Sequence, residues 1–241
     1  TNEFVKRGSR YGYVDSTGKY TTGWVIVNDS QNLVRYINPD KKGYVTNESK
    51  WINGKKYYFD KNGYRINDLT NIYKGPYTFE VDRVNGVMTV YADSARTIPV
   101  KTIRVSVGNP WTPTPKGKYT LTPYSRWQAL MGPSWGQYGT HVNGAGQGGI
   151  FVHSVACSYA NSYNLPVSAY NKLGSPASHG CIRTCVGDAK WVYYNSSGST
   201  IYIFDGTYNS NESFKGPLGR KAIVPARWKN GGYYDPTDPA A

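Results

Sequence analysis

The sequence predicts a mainly β protein in two parts: an N-terminal β-hairpin repeat solenoid, then a mostly-β domain with minor helix. Three observations predict it. Tyr (23), Gly (27) and Trp (7) are plentiful while Leu and Ala are scarce, which favours strands and turns over helices. Beyond residue 76, short alternating runs are separated by turn residues. Before it a loose repeat recurs, with units of roughly 20–25 residues that are too short to bury cores singly and should therefore stack.

The repeat reads YGYVDSTGKYTTGW at 11–24, VRYINPDKKGYVT at 34–46 and WINGKKYYFDKNGYRI at 51–66. Each unit has an aromatic-rich strand, a turn built from Asp or Asn with Lys and Gly, and a second strand opening on Tyr. Gly18, Gly43 and Gly63 hold the turn position, where a positive φ costs glycine nothing. The module is placed at 1–70. The pattern fades in NDLTNIYKGP (67–76), a linker ending in Gly75-Pro76. YTFEVD, GVMTVYA, KTIRVSV and KYTLT then read as strands, with Asn85-Gly86 as one turn. GGIFVHS (148–154) is a buried strand ending near a histidine, VGDAKWVYYN (186–195) a helix, and TIYIF (200–204) a closing strand. These elements define a domain at 77–205. The tail, 206–241, carries Trp228, Tyr233 and Tyr234 and is expected to pack on it.

The net charge of +13 is shared evenly between the two parts. A nucleic-acid arm would cluster its Lys and Arg, so no nucleic-acid partner is expected. A diffuse positive field suits a polyanionic surface such as a bacterial wall. No apolar run approaches the roughly 20 residues that span a bilayer. Starting at Thr1 without a signal peptide, the chain reads as a mature or trimmed form of something longer.

Residues 175–188, SPASHGCIRTCVGD, concentrate the chemistry. Cys181 could be a nucleophile, a metal ligand or half of a disulfide. As a nucleophile it needs a base or a depressed pKa. His179 lies two residues before it and is the poorer base. His153, from a separate strand, can approach from the side and needs a third group to orient its ring. Gly180 lets the backbone pass close to substrate, freeing amides for an oxyanion hole. His153-x3-Cys157 and Cys181-x3-Cys185 also have ligand-like spacing for zinc, although the dense SHGC cluster fits a structural metal poorly. Three cysteines are an odd number, so a purely structural role would leave one unpaired.

The stretch W-x-x-G-K-x-Y-Y-F-D-x-x-G at 51–63 resembles the cell-wall-binding repeat of Gram-positive surface proteins, of which choline-binding repeats are the best-known type. That resemblance implies a cell-wall polymer as partner, gripped between aromatic faces. Trp24, Trp51 and Tyr57 are the candidate ligand aromatics, against a packing role alone, which is preferred for Tyr58 and Phe59. VHS (152–154) with SHGCIR (178–183), preceded by TPTPKGKYTL (112–121), resembles an L,D-transpeptidase catalytic domain of the YkuD type.

This second resemblance implies a YkuD-like fold and a secreted Gram-positive enzyme, monomeric, needing no metal or organic cofactor. It would cross-link peptidoglycan stem peptides through a cysteine thioester. Cys181 would be the nucleophile, His153 its base, and the Ser154 carbonyl the group orienting the imidazole. The N–H groups of Gly180 and Cys181 would form the oxyanion hole, with Ser178 and His179 supporting the loop. Arg183 would meet a substrate carboxylate or anchor the loop, a structural salt bridge being the other reading. Tyr138 and His141 are candidates to line the cleft, with His141 read first as a surface histidine. The alternatives are an L,D-carboxypeptidase or endopeptidase, and a non-catalytic wall-binding protein. The gap 154–177 is longer than the family's and is read as an ordered surface loop beside the cleft. If Cys181 stays free, Cys157 and Cys185 are expected to pair as a disulfide that pins this loop.

Overall fold

Residues 2–146 and 148–241 are described by a computed structural model of the chain. Its aromatic N-terminal runs pair as hairpins. β1 (Glu3–Arg7), β2 (Arg10–Val14) and β3 (Tyr20–Thr21) form one antiparallel sheet. β4 (Trp24–Asn28) pairs with β5 (Leu33–Tyr36), and β6 (Ser49–Ile52) with β7 (Lys55–Tyr58). These remain three separate small sheets, linked by isolated bridges such as Arg35↔Tyr64. Gly18, Gly43 and Gly63 all take positive φ, and the Gly18 and Gly63 N–H groups close their turns on the carbonyls of Asp15 and Asp60. Val45, Ile52, Tyr57 and Phe59 make a small core with Trp24 and Tyr36 against it.

The second part is built on an eight-stranded sheet. In chain order its strands are β8 (Thr78–Asp82), β9 (Val87–Tyr91), β10 (Pro99–Arg104), β11 (Gly117–Leu130), β12 (Ser134–Asn143), β13 (Ile150–Ser154), β14 (Ile182–Thr184) and β15 (Thr200–Phe204). Their spatial order is β10-β9-β8-β15-β11-β12-β13-β14, with β8/β15 and β13/β14 parallel. Between β13 and β14 lies the four-residue helix α1 (Val167–Tyr170), and after β14 comes α2 (Val186–Asn195), over the expected residues. Alternation along each strand sends Leu121, Val142, Val152, Ile182 and Ile201 into one core with Val192 of α2. β11 runs far past KYTLT, and β12 was not expected, because Gly136 and Gly139 interrupt its apolar pattern.

The tail reaches both parts, beyond its expected place on the second. Leu218 is fully buried in the hairpin core, and the Asn32 side-chain amide donates to its carbonyl at 2.7 Å. Asp29 accepts from the N–H groups of Glu212 and Ser213. Glu212 in turn binds Arg104, Lys215 and Arg220 at 2.6–2.8 Å. Farther on, β16 (Arg227–Lys229) and β17 (Gly232–Tyr234) form a hairpin. The 154–177 segment is an ordered sub-core of Val155, Leu165, Tyr170 and Leu173, covered by Ile223 and Ala226 of the tail. Among the described residues, no helix is long and apolar enough to cross a membrane.

Candidate active site

Strand parity builds the site. β13 and β14 run parallel with His153 opposite Arg183 and Val152 opposite Ile182. Since Val152 and Ile182 fill the core, Phe151, His153, Cys181 and Arg183 share the other face. That face is the floor of a cleft of about 660 Å³, with the β11–β12 hairpin (Gln128 to Ser134) on one side and exposed His179 on the rim.

His153 is buried and its Nδ1 stands 2.5 Å from the Ser154 carbonyl oxygen. A carbonyl only accepts, so Nδ1 carries the proton and Nε2 is left with its lone pair. Burial pulls the His153 pKa down to about 4; the Arg183 charge adds to this and the Ser154 hydrogen bond opposes it. The ring also needs room, which a missing side chain provides: a Cβ on Gly136 would lie 2.4 Å from Nδ1. Ser154 is held by its hydroxyl, which accepts the Gln137 N–H at 2.8 Å. Burial raises the Cys181 thiol pKa, against the Phe151 N–H and the Arg183 charge. Both shifts favour the uncharged forms, the thiol of Cys181 and the neutral ring of His153.

The loop before Cys181 is pinned from two sides. Ser178 Oγ accepts the Gly180 N–H at 3.2 Å and donates to the Cys181 carbonyl at 2.5 Å. Buried Thr114 donates to the Gly180 carbonyl at 2.7 Å. The Gly180 N–H, expected as an oxyanion donor, is thus already engaged by Ser178. The Cys181 N–H has no acceptor among the described residues. Arg183 Nη1 donates to the Ala177 carbonyl at 3.1 Å, while its buried Nε has no partner among the described residues.

Other expected residues are placed differently. Tyr138 is not in the cleft: it takes φ +53° and packs against Val186, Ala189 and Tyr193 of the α2 region, with the Arg126 guanidinium 4.1 Å above its ring. His141 binds Asn143 at 2.7 Å and stacks beside Phe151. Cys157 and Cys185 are free thiols, so the expected disulfide is absent. Cys157 belongs to a backbone bridge with Trp135, whereas Cys185 precedes α2 and turns its thiol to Asp188 at 3.2 Å. Burial raises both thiol pKa values, Cys157 to about 12. Among the described residues, no three His, Cys, Asp or Glu side chains gather as metal ligands.

In the hairpin module, Tyr57 is buried and Trp24 half-buried, their rings meeting edge to face at 4.9 Å. The Arg65 guanidinium sits 5.5 Å above the Trp24 ring, and Arg35 lies between Tyr44 and Tyr64. Only Trp51 of the three candidate ligand aromatics is exposed, at 57%. Sequence reading missed Thr114, Gly136 and Gln128. Thr114 lies inside the TPTPKGKYTL run that carried part of the resemblance, but nothing in its spacing marked the loop it would touch.

A family model of the L,D-transpeptidase catalytic domain, YkuD, matches residues 76–207, more than half of the chain. YciB of Bacillus subtilis strain 168, whose name carries the L,D-transpeptidase designation, is 34% identical over 83 residues. That segment is 34% of this chain and 41% of YciB, so the chain aligns with less than half of that relative. Among solved structures, an L,D-transpeptidase from Mycobacterium smegmatis is 20% identical with a TM-score of 0.41, covering 69% of this chain and 71% of that one. One from Mycobacterium tuberculosis H37Rv is 18% identical with a TM-score of 0.41, covering 70% of each.

Proposed function

The chain belongs to the L,D-transpeptidase (YkuD) catalytic-domain family, and from that premise we propose that it cross-links peptidoglycan stem peptides through a thioester on Cys181. The observation that carries this reading is the His153–Ser154 contact at 2.5 Å, which leaves Nε2 as a base in the cleft that holds the thiol.

The chemistry follows from the groups present. Nε2 takes the thiol proton as sulfur adds to the amide carbonyl between a diamino acid and a terminal D-Ala. The oxyanion forms against the Cys181 N–H. As the C–N bond breaks, the His153 imidazolium gives its proton to the departing D-Ala amine, and a thioester remains. A side-chain amine of a second stem then attacks; Nε2 takes its proton, the new amide forms, and the thiol is regenerated. Because burial holds the His153 pKa near 4, imidazolium is a transient that returns its proton readily. The unpartnered Arg183 Nε, beside the thiol, supports a role in meeting a stem carboxylate.

The chain acts, on this reading, as a secreted monomer at the wall of a Gram-positive cell. Its hairpin module holds a wall polymer through exposed Trp51 rather than through Trp24 and Tyr57, which are occupied in packing. The test combines Cys181→Ala with mass analysis of products from wall fragments. Wild type should yield cross-linked dimer and the variant none, with the fold intact. Tripeptide or cleaved dimer without cross-linked product would move the assignment to carboxypeptidase or endopeptidase. Turnover by the variant at the wild-type rate would end the cysteine mechanism.

A further inference from the structure

We propose that Thr114 is a positioning residue for the acylation step, one that aims the Cys181 N–H at the reacting carbonyl. The proposal rests on the thioester reading above. Thr114 is fully buried, and its single hydroxyl proton has a determined direction. The Gly108 N–H donates to Oγ1 at 2.8 Å, so Oγ1 is an acceptor there and its own proton goes to the Gly180 carbonyl at 2.7 Å. Thr114 is itself fixed, because its carbonyl accepts from Arg83, which pairs with Asp205.

The consequence for the nucleophile is geometric. In a trans peptide the C=O and the following N–H point in opposite directions. Holding the Gly180 oxygen on the buried threonine therefore turns the Cys181 N–H away from it, to the side where the cleft opens. Gly180 accommodates this with φ +115°, a conformation that L side chains rarely adopt. Ser178 holds the carbonyl at the other end of Cys181 and takes up the Gly180 N–H. Among the described residues the Cys181 N–H is thus left unpartnered, and Thr114 sets its direction.

The test compares two reactions of the same thiol. A carbapenem is opened when sulfur adds to its lactam carbonyl and the C–N bond breaks, so an oxyanion must form. Iodoacetamide is displaced at carbon with loss of iodide, and no oxyanion forms. Both products are read at Cys181 by peptide mass, in wild type, Thr114→Val and Thr114→Ser. Loss of one oxyanion donor costs about 100- to 1000-fold, so a misdirected donor in Thr114→Val should slow carbapenem acylation by about 10- to 100-fold. Alkylation should stay within about threefold of wild type, and Thr114→Ser, which keeps the hydroxyl, should restore acylation to a similar margin. Should Thr114→Val lose its near-UV circular dichroism, Thr114→Ala replaces it and the same ratio of rates is read.

Equal slowing of both reactions would mean that Thr114 merely holds the fold. Acylation of the valine variant at the wild-type rate, or no rescue by serine, would overturn the proposal while leaving the thioester reading intact. A wild-type protein never acylated at Cys181 would instead overturn the thioester reading.

Discussion

Asp235→Ala should destabilise the protein substantially, although the residue lies far along the chain from the site. α2 begins at Val186, just after β14, and its N-cap residue Cys185 makes no side-chain cap. The tail provides one instead. Asp235 Oδ2 accepts the Val186 N–H at 2.7 Å, and Oδ1 accepts the Tyr170 hydroxyl at 3.2 Å together with both donors of Thr237. Thr237 Oγ1 then accepts the Gly187 N–H at 2.9 Å. Removing the carboxylate strands one buried donor, the Val186 N–H; the Tyr170 hydroxyl keeps the Val224 carbonyl at 3.0 Å, and the Thr237 groups can turn to water. At about 1–3 kcal/mol for a buried orphan, the loss is about 2 kcal/mol. For a chain of this size about 2–4 °C accompanies each kcal/mol, which gives a fall in Tm of about 4–8 °C. Thermal unfolding followed by far-UV circular dichroism reads it. Asp235→Asn, which keeps an oxygen acceptor, should lose less than the alanine variant. A fall below about 2 °C for Asp235→Ala would refute the capping argument.

Further outcomes follow from other groups. His153 must be neutral to act as base, so kcat/KM should fall with decreasing pH through about 4 and stay flat from there toward neutrality. Its folded pKa lies below the unfolded value of 6.5, so the unfolded chain binds the proton more tightly. The stability associated with burying a neutral ring is thus whole above pH 6.5 and is lost as pH falls to about 4. This amounts to about 3 kcal/mol, visible in urea unfolding at stepped pH and absent from His153→Gln. Glu212→Gln leaves Arg104, Lys215 and Arg220 without their shared carboxylate and should cost about 3 kcal/mol, measured by chemical denaturation. In the hairpin module, Trp24→Ala should lower stability by about 3 kcal/mol, while exposed Trp51→Ala should leave it unchanged and weaken pelleting with purified walls.

What could be read in advance was local. The helix at 186–195 and the strands carrying His153 and Ile201 follow from patterns within a few residues. Cys181 and His153 could be paired because their motifs resemble a known constellation. The misplacements came from longer-range geometry. Tyr138 was expected in the cleft, but its positive φ and the rings of α2 draw it elsewhere, and no spacing rule reports that. The Cys157–Cys185 pairing assumed that two segments leaving neighbouring strand ends stay together. Cys157 instead joins Trp135, and Cys185 turns into its own helix. Trp24 and Tyr57 read as ligand aromatics because the sequence does not say that Arg65 will lie over the indole.

The sheet order has a consequence in time. β15, residues 200–204, lies between β8 and β11, so among the described residues the two halves of the sheet are joined only through the strand made last of its eight. The carboxylate that caps α2 comes later still, at residue 235. A chain emerging N-terminus first therefore presents Cys181 before β15 and Asp235 have been made, and long-range pairings of this kind close slowly. On the thioester reading, acylation then waits for β15 and the region of Asp235 to dock beside the strands that carry His153 and Cys181.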